Sequence, residues 1–191
     1  MLSGIIKAES GDVLIDGISV TNLPIHIRAR KGLSLLPQET SVFKGLSVLD
    51  NLKVASELHQ SRQKKQEKDG AIDNLLIQFH LKNIEERLGK FLSGGEKRRL
   101  EMARLLLNAP KYVLLDEPFA GVDPISINEI KGHISSLARD NIGVLITDHN
   151  AADILDICDN VYVMKDGAII FEGHPTAVAA NETVKSVYLG N

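Results

Sequence analysis

The sequence predicts an α/β fold built on a mainly parallel sheet, and three observations predict it. Short apolar runs that end in polar or turn residues recur along the 191 residues, helical patterns fill the intervals, and several runs are apolar on both faces. A strand without a polar face has no side to offer to water, so helices must cover it.

The elements follow in chain order. Val13-Leu14-Ile15, Leu33 to Leu36, Tyr112 to Leu115, Val144 to Ile146, Val161 to Met164 and Ala168 to Phe171 read as strands. Helical patterns lie at about 48–58, 70–80, 94–107, 126–139 and 150–157. The last two runs are joined by Lys165-Asp166-Gly167, the chemistry of a tight antiparallel hairpin, which adds an edge to the sheet. Residues 45–95 read as a mainly helical lobe inserted into the sheet. Residues 60–69 contain no apolar side chain and read as a solvated linker or helix face.

Composition narrows the function classes. A hydrophobic content of 43% over this length supports one domain with a substantial core. The net charge of −3 gives no electrostatic reason to expect nucleic acid or an anionic membrane as partner. No apolar run approaches the roughly 18 residues that cross a bilayer, and residues 1–10 have no signal-peptide architecture, so a cytoplasmic chain is expected, with any membrane role exercised through a partner. The lone cysteine, Cys158, lies in an apolar run and reads as a buried structural thiol.

Three apolar strands finish with polar groups: Leu36-Pro37-Gln38, Leu115-Asp116-Glu117-Pro118 and Ile146-Thr147-Asp148-His149. In a parallel α/β sheet the ligand crevice lies beyond the carboxyl ends of the strands, so these groups can meet at one edge. Asp116 can orient a magnesium ion and its waters, and Glu117 can orient or deprotonate an attacking water. Alone, Asp-Glu-Pro is equally a strand exit with solvated acids. His149 alone reads as a structural histidine; beside a terminal phosphate it could donate a hydrogen bond to developing charge.

Leu92-Ser93-Gly94-Gly95-Glu96 precedes a helical run. Ser93 and Glu96 fit a capping box, which explains them without any ligand. The paired glycines are not explained by capping; they cost helix stability yet let a phosphate approach the N–H groups at the helix start. Lys97, Arg98 and Arg99 read as a solvated face rather than as phosphate ligands.

In order and kind these residues resemble the ABC-transporter ATPase family. Gln38 resembles the Q-loop glutamine, Leu92 to Glu96 the signature motif, Tyr112 to Asp116 the Walker B strand, and Glu117 the catalytic glutamate. Phe119 to Asp123 resembles the D-loop and His149 the switch histidine. Within the family the stretches 36–43, 116–126 and 145–150, with the terminal Val187-Tyr188-Leu189-Gly190, resemble the ATPases of lipopolysaccharide export systems.

The resemblance implies a P-loop NTPase-like core with an inserted helical lobe, ATP and Mg2+ as ligands, and two cassettes facing head to tail. It implies that Glu117 and His149 are catalytic, that Gln38 and Asp116 hold the metal, and that Gln38, Asp116 and Asp123 serve the nucleotide. Ser93, Gly94 and Gly95 are implied to face the partner's nucleotide. The further partners implied are transmembrane permease subunits, with the ATPase peripheral on the cytoplasmic face of the inner membrane. ATPases of branched-chain amino-acid importers share the general motifs, whereas the long coiled-coil insertion of repair ATPases and the tandem cassettes of translation ATPases are absent.

One departure stands out: the 191 residues contain no Gly-x-x-x-x-Gly-Lys-Ser/Thr, and Gly89 to Gly94 continues with Gly95-Glu96. By the resemblance Met1 falls inside the helix that follows that loop, so the expectation is a cassette truncated at its N-terminus and inactive alone, or a catalytically dead interaction module.

Overall fold

The computed structural model describes residues 1–58 and 65–184. Part of the predicted solvated stretch at 60–69, and the terminal stretch 187–190, fall outside the described residues. The chain forms two compact units, one from Met1 to Leu145 and the other from Ile146 onward.

The first unit opens with a small hairpin, β1 (Leu14–Ile15) and β2 (Ile18–Ser19). Asp16 and Gly17 form its two-residue loop at φ 51° and 76°, the left-handed pair that a tight hairpin requires. A short helix α1 (Ile25–Arg30) follows Pro24 and stops before Gly32. Neither β2 nor α1 is among the predicted elements, because two and six residues are too few to display a period.

Strand β3 (Leu33–Leu36) pairs in parallel with β4 (Tyr112–Asp116), Leu33 opposite Tyr112 through Leu36 opposite Leu115. Strand β5 (Gly143–Thr147) completes the row in the order β3-β4-β5. Leu36, Val113 and Leu115 are buried, as strands covered by helices demand.

Between β3 and β4 the chain is helical. Helices α2 (Val48–Leu58) and α3 (Lys65–Gln78) are followed by 3-10 turns at Lys82–Ile84 and Gly89–Phe91. Leu52, Leu76, Phe79 and Leu81 form their buried side. Helix α3 begins before the predicted residue 70, so the charged residues from Lys65 onward open a helix.

Helix α4 (Gly94–Leu106) buries Leu100, Met102, Ala103 and Leu105. Helix α5 (Pro124–Arg139) starts with Pro at its first position, where no N–H is missed, and buries Ile130, Ile134 and Leu137 at helical spacing.

The second unit holds α6 (Ala151–Leu155), the antiparallel pair β6 (Val161–Lys165) and β7 (Ala168–Gly173), α7 (Pro175–Ala180) and α8 (Glu182–Val184). The predicted hairpin is present, but as a two-stranded sheet of its own and not as an added edge of the β3-β4-β5 sheet: Lys165 faces Ala168, and Asp166 and Gly167 take φ 51° and 79°. Val163, Val178 and Val184 make a small core with Leu155, Val161 and Phe171 packed on it. Cys158 is half-buried, and burial pushes its thiol pKa up, which suits a structural role.

Candidate functional site

The parallel register fixes the site. Because Leu36 lies opposite Leu115, Gln38 and Glu117, each two residues further on, arrive level at the carboxyl edge of the sheet. There the Gln38 Nε2 donates to Glu117 Oε2 at 2.7 Å. Asp116 ends β4 and is exposed. Glu117 sits at φ 44°, a left-handed conformation uncommon for a glutamate and of the kind that clusters at functional positions.

Behind this pair stands Arg98 of α4, only 5% exposed. Its Nε donates to the Pro118 carbonyl at 3.1 Å, and its terminal nitrogens donate to the carbonyls of Pro37 at 3.0 Å, Glu117 at 3.2 Å and Gln38 at 3.4 Å. Glu101, 3% exposed, pairs with Arg98 at 3.4 Å and accepts from Thr40 Oγ1 at 3.0 Å and from the Ser41 N–H. Arg99 is also buried and pairs with Glu129 of α5. The reading of 97–99 as a solvated face is therefore corrected for both arginines. A guanidinium can be buried when carbonyls and a carboxylate take its donors. Glu101 three residues on and Met102 four residues on, along the buried stripe of α4, were the signals available in the sequence.

The Ser93 segment is a helix start. Ser93 Oγ accepts from the Glu96 N–H at 3.2 Å and Glu96 Oε2 accepts from the Ser93 N–H at 2.8 Å, the reciprocal capping box. The two glycines have a packing role as well. A Cβ on Gly94 would overlap the Gly121 carbonyl oxygen, and one on Gly95 would overlap the Ser126 side chain. Asp123 caps α5 by accepting from the Ser126 N–H at 3.0 Å. Hydrogen bonds from the Ser126 hydroxyl and then its N–H hold the Asp123 carboxyl below the ordinary value.

Between β3 and α2 the chain is held by Asn51, fully buried, whose Nδ2 donates to Phe43 O at 3.1 Å and Ser47 O at 2.9 Å while its Oδ1 accepts from the Phe43 N–H at 2.9 Å. Val42 is buried, whereas Phe43 stays 42% exposed with the Arg104 guanidinium 4.7 Å from its ring centre. His149 follows β5 in the second unit, its side chain 78% exposed and its Nδ1 3.8 Å from Asp148 Oδ1.

The structure thus brings Gln38, Asp116 and Glu117 to one edge, and sets Ser93, Gly94, Gly95 and Asp123 where α4 meets the start of α5. Arg98 and Glu101 are the site-building residues that sequence reasoning missed. Asp116 and Gln38 offer hard oxygen donors, which suits magnesium, an ion that takes one or two carboxylates together with water and phosphate oxygens. Among the described residues no group of three or more His, Cys, Asp or Glu side chains could hold a metal by itself.

Residues 1–120 match the ABC transporter family model. The chain is 45% identical, over all of its own length and 78% of the other, to the lipopolysaccharide export system ATP-binding protein LptB of Escherichia coli (strain K12). The same values hold for LptB of Haemophilus influenzae. A crystal structure of a nucleotide-free ATP-binding cassette from an ABC transporter superposes with a TM-score of 0.83 at 26% identity, covering 100% of this chain and 81% of that one.

Proposed function

Because this chain belongs to the ABC transporter family of ATP-binding subunits, whose members hydrolyse ATP, we propose that it is the ATPase subunit of a lipopolysaccharide exporter. The observation that carries the ATPase reading is the 2.7 Å contact between Gln38 and Glu117 at the ends of two parallel strands. It sets an amide and a carboxylate side by side where such a sheet receives its ligand. The export substrate is supported by the 45% identity to the LptB proteins.

In this reading Glu117 orients the attacking water and accepts its proton. Asp116 and Gln38 hold Mg2+, which when bound neutralises charge on the phosphates. His149 donates a hydrogen bond to the terminal phosphate. Two copies face head to tail, so that Ser93, Gly94, Gly95 and Asp123 of one serve the nucleotide of the other. The stretch from about 45 to 95 is the helical lobe, and Phe43, in the loop that leads into it, meets the transmembrane permease subunits at the cytoplasmic face of the inner membrane.

The 191 residues carry no phosphate-loop motif, and phosphoryl transfer depends on the backbone N–H groups and lysine that such a loop supplies. We therefore assign no turnover to this polypeptide alone. The test compares it with a version extended at Met1 by the phosphate-loop segment of a relative, using calorimetric titration with Mg-ATP and steady-state hydrolysis. The extended protein should bind and hydrolyse ATP, and Glu117→Gln in it should keep binding while losing about 10² to 10⁴ in turnover. Normal turnover by Glu117→Gln removes Glu117 from the role, and turnover by the 191-residue polypeptide overturns the assignment of inactivity.

A further inference from the structure

Five hydrogen bonds converge on one buried side chain that the proposed chemistry does not use. Arg98 leaves α4 one turn after the Gly94-Gly95 start and reaches the ends of both strands that carry Gln38 and Glu117. It donates to Pro37 and Gln38 beyond β3, to Glu117 and Pro118 beyond β4, and to Glu101 on its own helix. Past Leu36 and Asp116 the two segments have left their strands. Glu117 is also held in a left-handed conformation that its own steric preferences oppose. Something must hold both exits, and the guanidinium has five donors in a rigid fork suited to doing so.

We infer that Arg98 is a positioning residue: by clamping the carbonyls on both strand exits it sets the separation at which Gln38 Nε2 reaches Glu117 Oε2. Glu101 extends the same grip along the loop through Thr40 Oγ1 and Ser41 N–H, and Arg104, a further three residues on, donates to Ser41 O at 2.7 Å. One face of α4 therefore holds residues 37–41, and the same helix begins at Gly94. A shift of the 37–41 loop is transmitted along a rigid helix to the glycine pair, which links a nucleotide-facing edge to a partner-facing one. That link rests on the proposed function. The positioning role does not, and it is tested in nucleotide-free protein so that either can fail alone.

The experiment is nuclear magnetic resonance on the 191-residue protein, following the Gln38 side-chain amide, identified by its loss in Gln38→Ala, and backbone amide exchange at Gln38 to Ser41, Glu117 and Phe119, Pro37 and Pro118 having no N–H. Lysine keeps the charge of Arg98 but cannot span four carbonyls. In Arg98→Lys the Gln38 amide signal should move toward that of a free glutamine, and exchange at both exits should rise about tenfold or more, the effect of losing one charge-assisted hydrogen bond. Arg98→Gln provides a second, uncharged variant, and either one that folds decides. Arg99→Lys is the matched control, a buried arginine bound to Glu129 instead: it should lower the urea midpoint and leave the Gln38 signal in place. An unmoved Gln38 signal in the folded Arg98 variant, or the same displacement in Arg99→Lys, overturns the inference.

Discussion

Gly94 and Gly95 have two explanations that differ in what they forbid. Access for a phosphate needs bare backbone N–H groups, whereas packing needs only that no Cβ be present. The two positions separate under substitution, because Gly94 faces a backbone carbonyl at Gly121 and Gly95 faces the small side chain of Ser126. Gly94→Ala should destabilise the fold by about 1–3 kcal/mol, the cost of overpacking, and no side-chain change can relieve it. Gly95→Ala should lose a similar amount, most of which returns in the Ser126→Gly background. Urea denaturation of the single and double variants measures both, and equal rescue at the two positions would contradict these contacts. Conformation at Glu117 is a residue-scale feature that the sequence hides. Its left-handed φ is ordinarily announced by Gly or Asn, and here nothing in Asp-Glu-Pro announces it.

At the scale of elements, the junction of α3, α4 and α5 carries an acid-sensitive contact. His133 of α5 lies against Phe79 with ring centres 4.5 Å apart, and its Nε2 is buried with no hydrogen-bond partner among the described residues. Facing it are His80 beyond α3, Arg99 on α4 and Glu129 on its own helix. Burial first, then the positive neighbours His80 and Arg99, lower its pKa from 6.5 to about 4, against the opposing pull of Glu129. The fold thus holds a neutral imidazole that the unfolded chain protonates more readily. The contribution is fully present above about pH 6.5 and is lost as the pH falls toward 4. Urea midpoints measured between pH 7 and 4.5 should fall more steeply for the parent than for His133→Gln, and parallel curves would refute this assignment. Elements with a long apolar run or helical stripe were legible in the sequence, and so was the β6–β7 hairpin through Asp166-Gly167. The β1–β2 hairpin carried the same Asp-Gly signal at Asp16-Gly17 after the legible run Val13-Leu14-Ile15, but the two-residue β2 offered no second run to frame it. Arg98 stayed hidden because a charge reads as surface until the carbonyls that accept from it are placed, and those come from residues 60 and 20 positions away.

For the whole molecule, the surface left by residues 41–44 bears on assembly. Gly89 leaves no room for a Cβ, which would sit 2.7 Å from Val42 Cγ1 and 2.8 Å from Phe43 O, so the loop is pressed down around Val42 while Phe43 remains outside. The Asn51 bonds fix the Phe43 backbone, so an aromatic anchor presented there would cost less ordering on binding. Phe43→Ala should keep its fold, judged by circular dichroism and urea midpoint, yet co-purify poorly with the transmembrane subunits of a lipopolysaccharide exporter; undiminished co-purification would count against that docking edge. Gln38 and Glu117 were legible as two strand ends but not as a contact, since they lie 79 positions apart and only the parallel register makes them level. That register has a bearing on descent. Insertions or deletions in the segment between β3 and β4 leave the strands' alignment unchanged wherever the helix contacts survive, so chain length there is free to drift among relatives. Loss of one residue inside 33–38 or 112–117 slides one strand by a position, turns its side chains to the opposite face and parts the pair.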